Sequence, residues 1–307
     1  MSSLPVSRSV PAPPIGSLSG SPSAEQGWQA RLELGFEAGP DCTVLRHRRH
    51  AGPLRVQRPF HPEGAPCHTY LLHPPGGVVG GDRLDIQVSV ESGGHALLTT
   101  PAAAKFYRSA GPLARQHQSF RVAAGGTLEW LPALNIVHGG ARVELRNRFE
   151  LAPDARLLAW DLLGLGRPGS GDRFESGLCD SSLQVIADGR SLLAERLRTE
   201  GGDPMLKAVW GLQGRGYLAT LLAAPATTET LVALRGQLRQ VPDAAFGCTL
   251  LPVPGPRSQG HPLTGLLVCR WLAATGEALW ESMIEAWALL RPLVLGREPC
   301  PPRIWST

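Results

Sequence analysis

Apolar and polar residues alternate along much of the chain between Trp28 and Glu200. The clearest stretch is Asp82–Val90, where every second residue from Leu84 onward is apolar, and Val143–Phe149 nearly repeats the pattern. Successive side chains of a strand point to opposite faces, so a period of two predicts half-buried strands. The pair Asp188-Gly189 separates two such runs and predicts a hairpin turn, since glycine takes a positive φ without strain.

A turn followed by a short apolar strand recurs about every 30 residues. The copies are Gly93–Pro101, Gly125–Pro132 and, more loosely, Pro153–Trp160; the second follows the first by 32 residues and the third follows by 29. Such a repeat predicts strands stacked in layers. The alternative is that any strand-rich chain alternates turns with strands.

Helical periodicity is confined to the last third of the chain. Thr228–Gln240 places leucines on one face, although Gly236 weakens the helix. Thr275–Leu290 places apolar and aromatic residues at helical spacing, with Thr275 as a cap and Pro292 predicted to end the helix. Its aromatic face predicts core packing, with a partner surface as the alternative.

Two apolar runs between the helices, Gly247–Leu251 and Gly265–Leu272, predict buried strands joined by the proline-rich loop Pro252–Pro262. The predicted fold is therefore mainly β, with stacked or β-helical sheets and about two helices in the C-terminal third. Residues 1–26 are rich in Ser and Pro and are predicted to form a disordered tail, and residues 27–307 a single β-rich domain.

Composition excludes several classes of protein. Apolar residues make up 43% of the chain and charged residues 18%, which argues against a wholly disordered protein. The net charge is +4 and the arginines are scattered, so we expect no nucleic-acid partner. No apolar stretch of about 18 residues occurs, so we expect no membrane association. The six cysteines form no C-x-x-C pair and no secretory signal precedes them, which predicts reduced thiols in the cytoplasm.

Two glycine-rich segments suggest different roles. Gly164–Gly169 matches the dinucleotide pattern G-x-G-x-x-G, but Pro168 and the glycines after it argue against the helix that would hold a pyrophosphate. Gly76–Asp82 lacks the Lys-Ser/Thr ending of a phosphate loop. Its four glycines indicate a tight turn or a close backbone approach, with Asp82 presented at the end.

Catalytic and tight metal motifs are not found. His61, Cys67, His68 and His73 lie within 13 residues, but their spacing matches no closed zinc site and adjacent strand residues point to opposite faces. No nucleophile motif or paired-carboxylate signature occurs, so we expect a protein that is not an enzyme.

The glycine loop belongs to a series of blocks that resembles the UreD (UreH) family of urease accessory proteins. The blocks keep the family's order and span nearly the whole chain after residue 26. They are His73–Asp82, Thr99–Ser109, Leu128–Pro132, Leu165–Pro168 with Ser170–Phe174, and Pro301–Trp305.

The resemblance implies a strand-rich, non-enzymatic maturation chaperone. Members of the family join a UreF-type protein and a UreG-type GTPase, and the assembly docks on urease apoprotein. The UreG-type protein hydrolyses GTP and releases nickel, which the UreD-type protein conducts through an interior channel toward the urease active site. Transient Ni²⁺ is then the only metal expected, with no tightly bound cofactor.

Position within these blocks selects the candidate site residues. Isolated oxygen and imidazole ligands suit a metal that must be released again. The nickel-lining candidates are Asp82, Glu129, His138 and Asp161. The motif or partner-contact candidates are Gly76, Gly77, Gly80, Gly81, Lys105, Tyr107, Arg108, Arg167 and Arg173.

One segment departs from the family pattern. Ala133 and Leu134 stand where the family commonly has an amide and a polar neighbour, and His138 stands where an aromatic is usual. The resemblance therefore assigns no acidic ligands to residues 133–139. Two alternatives stay open: a β-solenoid-like interaction module without a metal role, and a dinucleotide-binding oxidoreductase that uses Gly164–Gly169.

Overall fold

The computed structural model of the chain describes residues 27–239, 244–253 and 265–306. The predicted tail, residues 1–26, and most of the Pro252–Pro262 loop lie outside the described residues. The described strands and helices are β1 (Gln29–Ala38), β2 (Thr43–Ala51), β3 (Arg55–Val56), β4 (Cys67–Leu72), β5 (Arg83–Val90), β6 (His95–Thr99), β7 (Ala104–Phe106), β8 (Ala114–Val122), β9 (Thr127–Trp130), β10 (Asn135–Val137), β11 (Arg142–Leu151), β12 (Arg156–Leu165), β13 (Leu178–Ala187), β14 (Arg190–Glu200), β15 (Tyr217–Ala224), α1 (Thr228–Gln237), β16 (Ala244–Pro252), β17 (Gly265–Ala273) and α2 (Gly276–Leu290).

These strands form two sheets that face each other. The seven-stranded sheet has the order β14-β13-β11-β8-β5-β1-β2, and the ten-stranded sheet has the order β16-β17-β15-β12-β9-β6-β4-β3 with β7 and β10 beside it. In the middle of each sheet the strands run parallel. Successive strands of the chain alternate between the sheets, as in a solenoid, which confirms the predicted mainly-β, stacked-sheet fold.

The 30-residue repeat marks successive turns of this solenoid. His95 pairs with Thr127, and Thr127 pairs with Arg156, so the three copies form neighbouring parallel strands. The predicted stacking is confirmed. The hairpin is confirmed too, because Asp188 and Gly189 join β13 to β14 with φ values of 47° and 72°.

The alternating apolar residues form the core between the sheets. Every second residue of β5 and β11 is buried there, as the period of two predicted. A second core lies on the other side of the ten-stranded sheet, against α1 and α2. The molecule is therefore built in three layers, with the ten-stranded sheet in the middle.

Both predicted helices exist, and the first is shorter than predicted. The first helix ends at Gln237, because Leu238 is already extended, whereas the prediction ran to Gln240, which lies outside the described residues. The second begins after Thr275, whose side chain caps it, as predicted. The α-helix ends at Leu290, two residues before Pro292, as predicted. A π-helical turn, Arg291–Leu295, follows and stops at Gly296, which has a left-handed conformation that glycine adopts without strain.

The aromatic face of α2 packs as core. Trp287 is buried, and the rings of Trp280 and Trp287 contact Trp305 near the C-terminus. The prediction of two buried strands is right for β17 and wrong for β16. Most residues of β16 are exposed because it lies at the edge of the ten-stranded sheet, as far as the described residues show.

Candidate functional site

Most of the sequence blocks meet at one end of the solenoid. Parallel strands β5, β8 and β11 all begin there, and backbone hydrogen bonds join the loops before them: Gly81 N–H donates to Leu113, and Ser109 N–H donates to Gly140. The loops that follow β12 and β14 join the same end. We call this surface the motif edge and define it by residues 76–82, 105–113, 138–141, 166–177 and 201–216.

All nine candidates for motif order or partner contact lie on the motif edge, and their glycines allow close packing. A Cβ at Gly77 would stand 2.1 Å from the Tyr107 ring, and a Cβ at Gly80 would stand 2.1 Å from Ser109 Oγ. The Tyr107 ring stacks in turn on His138, with centroids 5.3 Å apart. The glycine loop therefore serves the close approach that its sequence suggested.

Replacing Gly77 with alanine is expected to lower the free energy of unfolding by about 1 kcal/mol, because the new methyl group displaces the partly exposed Tyr107 ring from its stack on His138. Urea denaturation would measure this. Gly169→Ala is the matched control, since nothing lies within 4 Å of its Cβ position and its φ is not positive. Equal stability of the two variants would contradict the packing role of Gly77.

Two of the nickel-lining candidates, Asp82 and His138, bond to neighbouring groups at the motif edge. Both carboxylate oxygens of Asp82 accept backbone N–H groups, one from Trp28 at 2.8 Å and one from Val79 at 2.9 Å. His138 Nδ1 lies 3.0 Å from Asp172 Oδ2. Burial alone would raise the pKa of Asp172, but backbone N–H groups, first that of Gly139, and the neighbouring His138 lower it.

The third candidate, Glu129, belongs to a buried network on the helical side of the ten-stranded sheet. Its oxygens lie 3.0 Å from Arg291 Nη2, 2.8 Å from His95 Nε2 and 2.9 Å from Trp287 Nε1. Arg291, itself fully buried, also contacts Glu63 at 2.6 Å. Every polar atom of Glu129 is thus committed to neighbouring side chains.

Electrostatics keep this network charged despite its burial. Burial alone would raise the pKa of Glu129, but the hydrogen bond from His95 and the charges of His95 and Arg291 lower it. Burial opposes ionisation of Glu63 as well, yet hydrogen bonds from His68 and Arg291 lower its pKa to about 2. The network therefore joins the end of α2 and the turn after it to the sheet, through the Trp287 N–H group and the charge of Arg291.

The fourth candidate, Asp161, lies on the opposite face of the same sheet. Its neighbours Ala159 and Leu163 belong to the core between the sheets, whereas Trp160 and Leu162 face the helices. On β9, Leu128 and Trp130 face the inter-sheet core, so Glu129 between them faces the helices. The sequence prediction treated both acids as one lining, and the structure separates them by the thickness of a sheet.

Asp161 is surrounded by a polar seam within the inter-sheet core. Its carboxylate accepts hydrogen bonds from Asn147 of the opposite sheet and from Asn135. Gln116 donates to Asn135 Oδ1 over 3.4 Å, and Gln118 pairs with Asn147 across neighbouring strands. Buried polar groups of this kind cost free energy unless they are bonded, so a continuous seam in a hydrophobic core suggests a specific use.

The seam reaches a cavity of about 430 Å³ between the two sheets. Asp161, Thr220 and Arg270 stand side by side on neighbouring strands and form one row of its wall. Arg270 pairs with Glu195 of the opposite sheet. Both are partly exposed, so this pair lies at the mouth of the cavity and the row leads inward from it to Asp161.

Burial raises the pKa of Asp161 to about 6, while hydrogen bonds from Asn147 and Asn135 partly oppose the rise. The folded state therefore binds the proton more tightly than the unfolded state. Its contribution to stability is highest below about pH 4 and falls as the pH rises to about 6. Above that pH the carboxylate is charged, and it costs on the order of 2 to 3 kcal/mol.

Asp161→Asn is expected to raise the free energy of unfolding at pH 7.5 by about that amount and to remove the decline between about pH 4 and 6. Urea denaturation at several pH values would measure the difference from the wild type. Asp41→Asn, at an exposed position, is the control. A variant that follows the wild-type pH profile would show that Asp161 is not the titrating group.

The dinucleotide pattern leads to no dinucleotide fold. Strand β12 ends at Leu165, and the motif continues into a three-residue 3-10 turn, Pro168–Ser170, where a long helix would be required. Gly166 is needed for packing, since its φ is +76° and a Cβ there would stand 2.4 Å from the Asp172 carbonyl. The oxidoreductase alternative therefore has no structural support.

Several site residues were not selected from the sequence. Asn147 occupies the one inward position where the apolar alternation of Val143–Phe149 is broken, so that interruption was a usable signal. Gln116 and Gln118 interrupt β8 in the same way. Arg291 and Thr220 carry no comparable local signal, because their partners are distant in the chain.

The described residues contain no group of three or more His, Cys, Asp or Glu side chains arranged to hold a metal ion. In the same residues, no helix is both long enough and apolar enough to span a membrane.

Similarity to known proteins agrees with this architecture. A model of the UreD urease accessory protein family matches residues 29–306. The chain is 51% identical over 281 residues to urease accessory protein UreD of Alkalilimnicola ehrlichii, with 92% of each chain covered. It is 49% identical over 286 residues to the protein of that name from Pseudomonas entomophila and 43% identical over 288 residues to that from Dechloromonas aromatica, in both cases covering 93% of this chain and 97% of the relative. The chain therefore belongs to the UreD family of urease accessory proteins.

Proposed function

We propose that this chain serves urease maturation by carrying Ni²⁺ through the space between its two sheets toward urease apoprotein. Family membership and the relatives' common name, urease accessory protein, support a role in maturation. That name also supports an accessory role beside the enzyme and favours a chain that is not itself a catalyst.

The observation that carries the nickel proposal is the position of Asp161. It is a desolvated carboxylate within a polar seam, at the inner end of a row that leads from the mouth of a cavity. Carboxylate, amide and hydroxyl oxygens bind divalent cations less tightly than a closed thiolate or imidazole site. A cargo that must be released is suited to such a lining.

The proposal assigns different tasks to the four predicted nickel residues. Asp161 contacts the cation in transit. Asp82, Glu129 and His138 do not line the cavity. They are assigned to the fold: both carboxylates bond to backbone or side-chain partners, and His138 Nδ1 is held by Asp172 at the motif edge. The proposed nickel route therefore uses one of the four residues that the sequence suggested.

The proposed partners follow the family resemblance. The chain scaffolds a UreF-type protein and a UreG-type GTPase on urease apoprotein, and GTP is the substrate of the UreG-type partner. A cytoplasmic location and the expectation of no tightly bound cofactor stay predictions. An interaction module without a metal role is the competing proposal, and it predicts normal nickel loading of urease when this chain is left out.

Co-expression tests the proposal. Urease is produced with the other accessory proteins, with and without this chain, and its activity is measured. We expect active urease only when the chain is present. Full activity without the chain would contradict the maturation role.

A further inference from the structure

Exposed apolar side chains are concentrated at the motif edge and directly beside it. Of the eight large apolar side chains exposed in the described part of the chain, five lie here: Trp28, Val79, Tyr107, Val209 and Trp210. Val209 and Trp210 are 85% and 78% exposed and adjacent in the loop 201–216. Adjacent exposed apolar side chains such as Val209 and Trp210, and tryptophan above all, mark surfaces that another protein covers.

The loop that presents Trp210 is held in shape by its own backbone. Leu212 N–H donates to the Met205 carbonyl at 2.9 Å, and the Asp203 side chain accepts from Met205 N–H at 2.9 Å. Gly211 lies so close to this turn that a Cβ would stand 2.1 Å from the Met205 carbonyl oxygen. A preorganised tip loses little conformational entropy when it binds.

Six basic residues lie on the same loops of the motif edge. They are Lys105, Arg108, Arg167, Arg173, Lys207 and Arg215. None of the six forms an ion pair with a carboxylate of residues 27–239, 244–253 or 265–306. Among the nearby acids in the described residues, Asp172 is bonded to His138 and Asp203 caps the loop, whereas Glu175 is exposed. Glu200, directly before the loop, is also exposed but pairs with Arg198.

We propose that the motif edge is the docking surface for a protein partner with an apolar pocket bordered by carboxylates, and that Trp210 enters this pocket. The unpaired cations supply the charge complementarity, and they raise the association rate with an acidic surface. This inference rests on the proposed function for the choice of partners to test.

The experiment measures binding of the full chain to purified UreF-type protein and to purified urease apoprotein. Trp210→Ala is expected to weaken binding to one of them by roughly tenfold or more, as loss of a central interface tryptophan does. Arg173→Glu is expected to weaken the same complex and to reduce its dependence on salt between about 0.05 and 0.5 M. The controls are Val232→Ala and Arg49→Glu, which change an exposed apolar and an exposed basic residue away from the edge.

Wild-type affinity in both Trp210→Ala and Arg173→Glu would overturn the docking proposal, while the need for the chain in urease activation would still stand. Failure of the wild-type chain to bind either protein would overturn both proposals. Trp210-dependent self-association, or Trp210-dependent binding to RNA in place of these proteins, would also overturn the assignment of an acidic protein partner.

Discussion

Arg291→Met is expected to lower the free energy of unfolding by about 3 to 5 kcal/mol, which is the usual cost of leaving buried charges without their partner. Arg291 is fully buried and stands between Glu129 and Glu63, with contacts of 3.0 and 2.6 Å. Methionine fills a similar volume, so the measured loss of stability reports the removal of the charge and not a loss of packing. Urea denaturation followed by tryptophan fluorescence would measure the effect.

A second substitution separates charge from packing at this network. Adding Glu129→Gln to Arg291→Met removes one of the stranded charges, so the double variant is expected to be less destabilised than the sum of the two single variants. Arg297→Met, at a residue without an ion pair in the described part of the chain, is the control and is expected to change stability by less than about 0.5 kcal/mol. Additive effects of Arg291→Met and Glu129→Gln would show that the two side chains do not act together.

Asp161→Asn is expected to reduce urease activation by about tenfold or more while the protein itself becomes more stable. The substitution keeps the shape of the side chain and one of its two acceptor oxygens, but it removes the charge that attracts a divalent cation. The acids that line the cavity are Asp161 and Glu195, and Glu195 is already paired with Arg270. Urease activity in cells that express the variant would measure the loss.

The opposite directions of these two effects make the prediction specific. A residue that merely supports the fold would lose stability and activation together. Asp41→Asn, outside the cavity, is expected to leave both unchanged. Full activation with Asp161→Asn would mean that nickel does not depend on this carboxylate.

The sequence predicted what depends on local pattern. Alternation in β5 and β11, the repeat across β6, β9 and β12, and the capped helix after Thr275 are all set by neighbouring residues. Family blocks also located the motif edge. Each of these features depends on residues that are close together in the chain, so the sequence alone can predict it.

The sequence could not predict which face of a shared sheet each acid occupies. Glu129 and Asp161 lie in neighbouring strands, yet one faces the helices and the other faces the inter-sheet core. That difference depends on strand register, which changes every side chain's face when it shifts by one residue. The role of Arg291 could not be predicted from the sequence either, because its partner Glu63 is 228 residues away in the chain.

The nickel content of purified urease tests the central claim most directly. Urease is isolated from cells that express all other accessory proteins together with the wild-type chain, the Asp161→Asn chain or no chain. We expect nickel-loaded urease with the wild type, and nickel-poor urease both with the variant and without the chain. Equal nickel content with wild type and Asp161→Asn would contradict passage of nickel along this carboxylate, and equal content without any chain would contradict the maturation role itself.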